Sequence, residues 1–183
     1  MLLFSRIHEG GLAAAEAVGA VRLRLTYDER AKSRLATMGI DGRAVAILLP
    51  DHRRGSVLRD GTVLVGDAGE FAIVEAASQP VARITTDSPL ALLRATYHLA
   101  NRHVPAQLAA DEVLIERDPV LEAMLRGLGV YVEHLEAPFD PEGGAYEGHH
   151  HHKPPHHADA DKVSATVGEQ LSIAAHRDRG GTR

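Results

Sequence analysis

Two helix starts fix the order of elements in the carboxyl-terminal half of the chain, at Asp87–Pro89 and at Asp118–Pro119. Serine or aspartate accepts hydrogen bonds from the first helical amides, and proline suits the first turn because it has no amide hydrogen to leave unpaired. We expect the first helix to end before Pro105 and the second at Gly129. The first helix carries one apolar face, formed by Leu90, Leu93, Tyr97 and Ala100, and the second carries Val120, Leu121, Met124, Leu125 and Leu128.

Strand signals surround these helices. Val81–Thr86 precedes the first helix, Val113–Ile115 lies between the two, and a last strand begins at Val130. The order strand, helix, strand, helix, strand predicts a compact α+β domain of the ferredoxin-like type. That fold needs one more strand, which we place near Ala106–Leu108.

The first eighty residues predict a small β-rich domain of sandwich or barrel type. Val21–Thr26 alternates apolar with basic side chains, and Ala44–Leu49 and Phe71–Ala77 are apolar runs bounded by turn residues. Val57-Leu58 and Val63–Val65 flank Asp60-Gly61, which predicts a hairpin at that dipeptide. We therefore predict an α+β protein with a β-rich domain over residues 1–82, a ferredoxin-like domain over 83–140 and a flexible histidine-rich tail over 141–183.

Composition narrows the possible partners. The net charge is -5 and aromatic residues make up 4% of the chain, so neither nucleic acid nor a membrane surface is an expected partner. Cysteine is absent, which leaves histidine and carboxylate as the metal ligands. Met1–Phe4 is too short an apolar run for a signal peptide, and no stretch approaches the roughly 18 apolar residues of a membrane helix. A soluble, cytoplasmic protein is expected.

Histidine is concentrated near the carboxyl terminus. Six of the twelve histidines form what we call the histidine tract: His149, His150, His151, His152, His156 and His157. Neutral imidazole binds Ni(II), Zn(II) and Cu(II), and several imidazoles on one segment raise the effective concentration of the second ligand. An expression tag is the competing interpretation, but Lys153–Pro155 interrupts the tract and residues 158–183 follow it. The tract therefore predicts loose binding of several ions, with copper favoured over nickel by intrinsic affinity.

His98 and His103 are a second candidate metal site. Five positions separate them, so a continuous helix would place their side chains roughly 140° apart and they would not form a simple ligand pair. Taken alone, each is more often a hydrogen-bonded structural residue than a ligand. Asn101 can serve as a helix C-cap and Arg102 as a favourable charge at the helix end.

The sequence carries no recognisable catalytic motif. It has no nucleophile elbow, no phosphate-binding loop, no His-Glu-x-x-His and no dinucleotide fingerprint. Neighbouring acidic residues such as Asp111 and Glu112 are best explained as solvated surface. We therefore expect a binding protein and not an enzyme.

Several segments together resemble the urease accessory protein UreE family. These are Leu25–Arg30 followed by Asp41-Gly42, Leu58–Gly61, Ala95–Pro105, Ala137–Phe139 with Pro141-Glu142, and Gly144–Tyr146 leading to the histidine tract. The resemblance runs from about Val21 to His157. The Tyr-His-Leu-x-Asn-Arg-His stretch and the Pro-Glu-x-Gly-Ala-Tyr approach to the tract are its most specific parts.

The resemblance implies a nickel metallochaperone with a peptide-binding-like amino-terminal domain and a ferredoxin-like metal-binding domain. It implies a homodimer in which His103 meets its counterpart across the two-fold axis, with the urease accessory GTPase and the urease maturation complex as partners. Two positions depart from the family pattern. Pro119 stands where many relatives have an accessory histidine, and Ala100 replaces a glycine. The histidines of the tract are the obvious substitutes for the missing ligand.

A different function fits the same composition. In a divalent-metal storage or buffering protein the tract would be the main site and His103 would be structural. Zn(II) and Cu(II) are possible additional ions in either case. A metal-dependent hydrolase would need a carboxylate and an open metal position beside His103, which nothing in the sequence indicates.

Overall fold

A computed structural model of the chain describes residues 1–9, 19–50 and 56–143, and all of the predicted tail after residue 143, including the histidine tract, lies outside them. The amino-terminal part has six strands, β1 (Leu2–Ile7), β2 (Val21–Leu25), β3 (Arg34–Met38), β4 (Ala44–Leu48), β5 (Val63–Gly66) and β6 (Phe71–Ala76), with the short helix α1 (Tyr27–Arg30) between β2 and β3. They form one sheet in the order β2-β6-β5-β1-β4-β3. The predicted β-rich domain is therefore present.

This sheet curls around one main core, with a smaller cluster at Val63 and Ile73. The Ile40 amide just after β3 donates a 2.9 Å hydrogen bond to the carbonyl of Arg22 in β2, so the two edge strands approach each other. Alternate side chains point inward, and the interior is filled from five strands by Phe4, Leu23, Val45, Leu64 and Val74 among others. Aliphatic side chains supply most of this packing, as the low aromatic content requires.

The predicted hairpin at Asp60-Gly61 is wrong. Residues 57 and 58 are not in a strand, and the Leu58 amide instead donates to the Arg30 carbonyl at 3.0 Å. The hairpin joins β5 to β6, and its turn ends at Gly69, whose φ of 87° favours glycine. Asp60-Gly61 does form a turn, in which Thr62 donates to the carbonyl of Arg59. β1, β3 and α1 were not predicted.

The second sheet confirms the ferredoxin-like prediction. Its elements follow the order β7 (Ser78–Thr85), α2 (Pro89–Ala100), β8 (Ala106–Leu108), β9 (Glu112–Glu116), α3 (Pro119–Gly127) and β10 (Tyr131–Pro138). The strands pair in the order β10-β7-β9-β8, and all neighbours are antiparallel. The short strand expected near Ala106–Leu108 is β8. The division at residues 82 and 140 stays a prediction; its first boundary falls within β7.

Both helices begin where the sequence predicted. Ser88 accepts from the Ala91 amide, Asp118 accepts from the amides of Val120 and Leu121, and Gly129 follows α3 with φ 81°. The buried face of α2 differs from the predicted apolar face. Ala95 and Leu99 are buried against the sheet, together with Leu125 of α3. No helix in the described ranges is long and apolar enough to cross a membrane.

Glu122 of α3 is a buried carboxylate held between two hydrogen-bonding partners, a histidine and an arginine. Its Oε2 lies 2.8 Å from His134 Nε2 on β10 and 3.1 Å from Arg126 Nη2. The hydrogen bond with His134 lowers the pKa of Glu122, burial opposes that shift, and Arg126 adds to it. Because the folded pKa lies below the unfolded one, the stability that this carboxylate contributes is present above pH ~4.5 and lost as pH falls further.

We predict that Glu122→Gln destabilises the protein by about 1–2 kcal/mol at pH 6, since it leaves two donors with a weaker acceptor. The difference from wild type should shrink at pH 3.5, below the ordinary pKa of glutamate, because the unfolded chain then binds a proton that the folded carboxylate resists. Urea unfolding at both pH values measures this difference. Glu136→Gln, at an exposed position of β10, is the matched control and should change stability little. Equal stability of Glu122→Gln and wild type at pH 6 would contradict the prediction.

Candidate metal site

His103 lies in the turn that ends α2. The Val104 amide donates to the carbonyl of Leu99 at 3.2 Å, and the His103 amide donates to the carbonyl of Ala100 at 2.9 Å. These two bonds form the Schellman pattern, which closes a helix by turning one residue into the left-handed region. Val104 then packs beside Leu99 in the core, the apolar contact that usually accompanies this motif. The helix end therefore sets the position of His103.

His103 itself is the residue in the left-handed region, with φ 55°. In the described ranges it is the one residue other than glycine with a positive φ. Glycine normally occupies this position because a Cβ atom clashes there, and the conformation costs about 1 kcal/mol or more in other residues. The chain thus has a histidine with a strained backbone at a position where glycine would make the fold more stable. Strain of this kind is found most often at functional sites.

The His103 side chain is exposed, and its ring makes no hydrogen bond to any described residue. Within the described ranges, both ring nitrogens are therefore open to an external ligand. This geometry removes the main support for a structural role, in which a histidine ring is usually fixed by a hydrogen bond.

His98 occupies the last turn of α2 and is half-buried. Its ring meets the Tyr97 ring edge-on at 5.6 Å between centroids. The guanidinium of Arg102 donates to the His98 carbonyl at 3.0 Å, which confirms that Arg102 serves the helix end, and Asn101 is the C-cap residue as expected. α2 ends at Ala100, so His103 does not continue the helix that carries His98.

An exposed apolar face runs along α2 toward His103. Leu90, Leu93 and Tyr97 share one side of the helix, as predicted, and they are 55%, 67% and 63% exposed. A helix normally buries such a face against its own core, yet here smaller side chains on the other side do so. An uncovered face of this kind is typical of a surface that contacts another protein.

The segment after β10 returns to the neighbourhood of His103. The Glu142 amide donates to the carbonyl of Ala106 at 2.9 Å, and Ala106 is the first residue of β8. Three residues of trans peptide cover at most about 11 Å, so Ala106 lies within that distance of His103. Glu142 therefore lies beside the first residue of β8.

The remaining predicted ligands are not in the described part of the chain. His149, His150, His151, His152, His156 and His157 lie outside it. Within residues 1–9, 19–50 and 56–143, no three potential metal ligands come together. Pro119, at the position of an accessory histidine in the family pattern, is the first residue of α3, and its side chain has no atom that binds a metal ion. His134, which sequence reasoning did not single out, is paired with Glu122.

These features define a class: a two-domain α+β protein with an exposed, strained histidine at a helix end and a histidine-rich segment beyond its second domain. The sequence model of the UreE urease accessory protein N-terminal domain matches residues 4–77, and that of the C-terminal domain matches residues 79–163. The chain belongs to the UreE urease accessory protein family.

Individual relatives are similar over about three quarters of the chain. The urease accessory protein UreE of Ralstonia nicotianae is 52% identical over 140 residues, which are 76% of this chain and 65% of the relative. Those of Burkholderia lata and Burkholderia orbicola are 50% and 49% identical over 139 residues, covering 66% and 67% of each relative. The chain thus spans about two thirds of the length of the curated relatives it matches.

Proposed function

We propose that this protein is an accessory factor, not an enzyme, which binds Ni(II) as cargo and delivers it for assembly of the urease metallocentre in the cytoplasm. The exposed, left-handed His103 carries the proposal, and the family to which the chain belongs supplies the urease context. Nickel is bound at a homodimer interface through His103 of each protomer, with the histidine tract as a second, looser reservoir.

A shared site explains why His103 stands apart from other ligands among the described residues of its own chain. In a two-fold interface the same residue of each protomer meets its counterpart, so one histidine per chain supplies two ligands. Imidazole is a suitable ligand for Ni(II), and an incompletely coordinated ion exchanges ligands readily. An acceptor with a better ligand set can then take the ion without any chemical catalysis.

The apolar face of α2 supports the dimer. Leu90, Leu93 and Tyr97 lie on the helix that ends at His103, so a partner covering this face comes close to the imidazole. A second copy of the chain offers the same apolar surface, as an isologous contact requires. Burying these three large side chains removes apolar area from water, which favours association.

The histidine tract supplies additional capacity for nickel. Its imidazoles also supply the further ligands that the histidine absent at Pro119 would have provided. His98 is the weaker candidate, because its ring is half-buried against Tyr97. We propose the urease accessory GTPase and the urease maturation complex as the acceptors.

Nickel titration tests the proposal. We expect the full chain at pH 7.5 to bind Ni(II) at one tight site per dimer and at several weaker sites. His103→Ala should remove the tight site and leave the weak capacity unchanged. The tract variant, in which all six tract histidines are replaced by asparagine, should keep a tight site and lose most of the weak capacity. Calorimetry gives the stoichiometry, and light scattering gives the oligomer mass in each state.

The storage or buffering alternative predicts a different result. If the tract is the main site, His103→Ala changes neither stoichiometry nor affinity, and the proposal fails. Because a protonated imidazole cannot bind a metal ion, loading should be lost as pH falls through ~6.5. Equal stoichiometry and affinity at pH 7.5 and pH 5 would contradict a histidine site of either kind. Zn(II) and Cu(II) titrations measure the selectivity.

A further inference from the structure

Arg102 holds a positive charge at the end of α2, directly before His103. Its guanidinium Nη1 donates a 3.0 Å hydrogen bond to the carbonyl of His98. Its own amide donates to the carbonyl of Leu99 at 3.0 Å, so the backbone and the side chain both bind the last turn of the helix. The guanidinium is therefore fixed at the carboxyl end of α2, although Arg102 is exposed.

His103 is attached to the same turn of the helix. Its amide donates to the carbonyl of Ala100 at 2.9 Å, two residues after the carbonyl that binds the guanidinium of Arg102. One helical turn is about 5.4 Å long, so the guanidinium and the backbone of His103 are bound to carbonyl oxygens within that length. An ion on the exposed ring of His103 is therefore subject to the field of a fixed positive charge.

The segment around His103 contains no carboxylate. Between Asp87 and Asp111 the chain has no aspartate or glutamate, although it has 25 of these residues in total. The formally charged residues of this segment are Arg94 and Arg102. Carboxylates beside an imidazole attract divalent cations and can ligate them. The composition of this segment therefore opposes tight retention of a cation.

The carboxylates nearest to this segment lie on other elements. Glu112 begins β9, and its Oε2 lies 3.9 Å from Arg83 Nε on β7, so its charge is shared with that arginine. Glu142 meets the segment through its amide, which donates to the carbonyl of Ala106, and its side chain is exposed. Among the described residues, the charged side chain that is hydrogen-bonded to the last turn of α2 is that of Arg102.

We propose that Arg102 lowers the affinity of the His103 site for Ni(II), so that the ion remains exchangeable. Its positive charge opposes a divalent cation at the neighbouring imidazole, and in the proposed dimer two such charges act on one ion. The carboxyl end of a helix otherwise attracts cations, and the guanidinium occupies that end in place of the metal ion. This inference rests on the proposed function. It adds to that function a residue that favours release of the ion without ligating it.

Arg102→Gln tests the proposal in the full chain. Nickel is added at less than one ion per dimer, so that the tight site fills first, and the affinity is measured by competition with a chelating indicator. We expect the variant to bind Ni(II) about three- to tenfold more tightly at low salt, and to release it to the chelator correspondingly more slowly. In 1 M NaCl, where charges are screened beyond about 3 Å, the difference from wild type should fall below about twofold.

Two matched variants separate the charge of Arg102 from its structural role. Arg102→Lys keeps the positive charge but loses the planar donor group, so its nickel affinity should stay within about twofold of wild type. Arg34→Gln removes an exposed positive charge from β3 of the amino-terminal domain and should leave the affinity unchanged. Arg102→Gln binding nickel no more tightly than wild type would overturn the proposal. So would an equal gain in Arg102→Lys or in Arg34→Gln, or a gain in Arg102→Gln that persists in 1 M NaCl.

Failure of this inference can be told apart from failure of the proposed function. If His103→Ala removes the tight site while Arg102→Gln binds nickel as wild type does, the role of Arg102 alone is wrong. If His103→Ala has no effect, the proposed function fails and this inference fails with it.

Discussion

His103→Gly is expected to abolish the tight nickel site and at the same time to stabilise the metal-free protein. Glycine adopts the left-handed conformation at this helix end without the clash that a Cβ atom makes. We expect a gain of about 1 kcal/mol, the usual cost of a non-glycine residue in this region less the greater freedom of glycine in the unfolded chain. For a chain of this size that corresponds to a rise of about 2–4 °C in melting temperature.

His103→Ala is the matched control. It removes the imidazole but keeps the Cβ atom in the strained conformation, so it should lose the nickel site without gaining stability. Urea unfolding compares the stability of metal-free wild type, His103→Gly and His103→Ala. All three are measured at one protein concentration, because dimerisation affects stability. If the glycine variant is no more stable than the alanine variant, the backbone at this position is not strained in solution. The left-handed conformation would then offer no argument for function.

His103→Gly is expected to lose nickel binding and to gain stability. These opposite effects make the strained backbone an argument for function. A residue selected for stability alone would relieve the left-handed position, and a single substitution achieves this. An imidazole that makes no hydrogen bond to any described residue does not evidently stabilise the fold. A role outside the folded monomer, such as ligation of a metal ion, accounts for both observations.

Much of the fold could be predicted because local signals and topology agreed in the carboxyl-terminal half. Ser88 and Asp118 each precede a proline, which fixed both helix starts. The ferredoxin-like order then required a strand that has almost no signal of its own, and Ala106–Leu108 supplies it. In such cases a global constraint reveals an element that propensity alone does not.

The missed elements lack that support. β1 shows little alternation at the amino terminus, and β3 (Arg34–Met38) has weak apolar spacing because it is an edge strand with exposed positions. α1 has a capping box, formed by Thr26 and Glu29, but the helix is only four residues long. β1 is fixed by pairing with β4 and β5, which lie far from it in the sequence, and such pairing leaves little trace in a short stretch of sequence.

The site was only partly predictable for a related reason. The period of apolar residues identified the face of α2 that contains Leu93 and Tyr97, but periodicity cannot tell a core face from an exposed one. The importance of His103 came from resemblance, since spacing alone favoured a structural role. Its left-handed backbone belongs to a local helix-ending motif that usually carries glycine, so a histidine at that position gave no signal. The return of Glu142 to Ala106 is a tertiary contact, which no local pattern contains.

Arg30→Met is expected to cost more stability than a substitution at Glu122 or Arg59. Methionine fills much of the volume but leaves the carbonyls of Leu58 and Phe139 without this donor, and Asp140 with Arg59 alone. Removing one partner of a buried charged network typically costs about 3–5 kcal/mol. We expect a loss of that order in the free energy of unfolding, measured by urea denaturation followed by circular dichroism.

Two further variants separate the causes of that loss. Arg59→Gln, at a half-exposed position on the same carboxylate, should cost no more than about 1 kcal/mol because solvent screens the pair that it breaks. Arg30→Lys keeps the positive charge, but an ammonium group cannot hydrogen-bond all three acceptors as the planar guanidinium does. Its loss of stability should therefore fall between those of Arg59→Gln and Arg30→Met. If Arg30→Met were as stable as Arg59→Gln, the buried arginine would not join the two domains, and the fixed position of residues 139–142 beside β8 would need another cause.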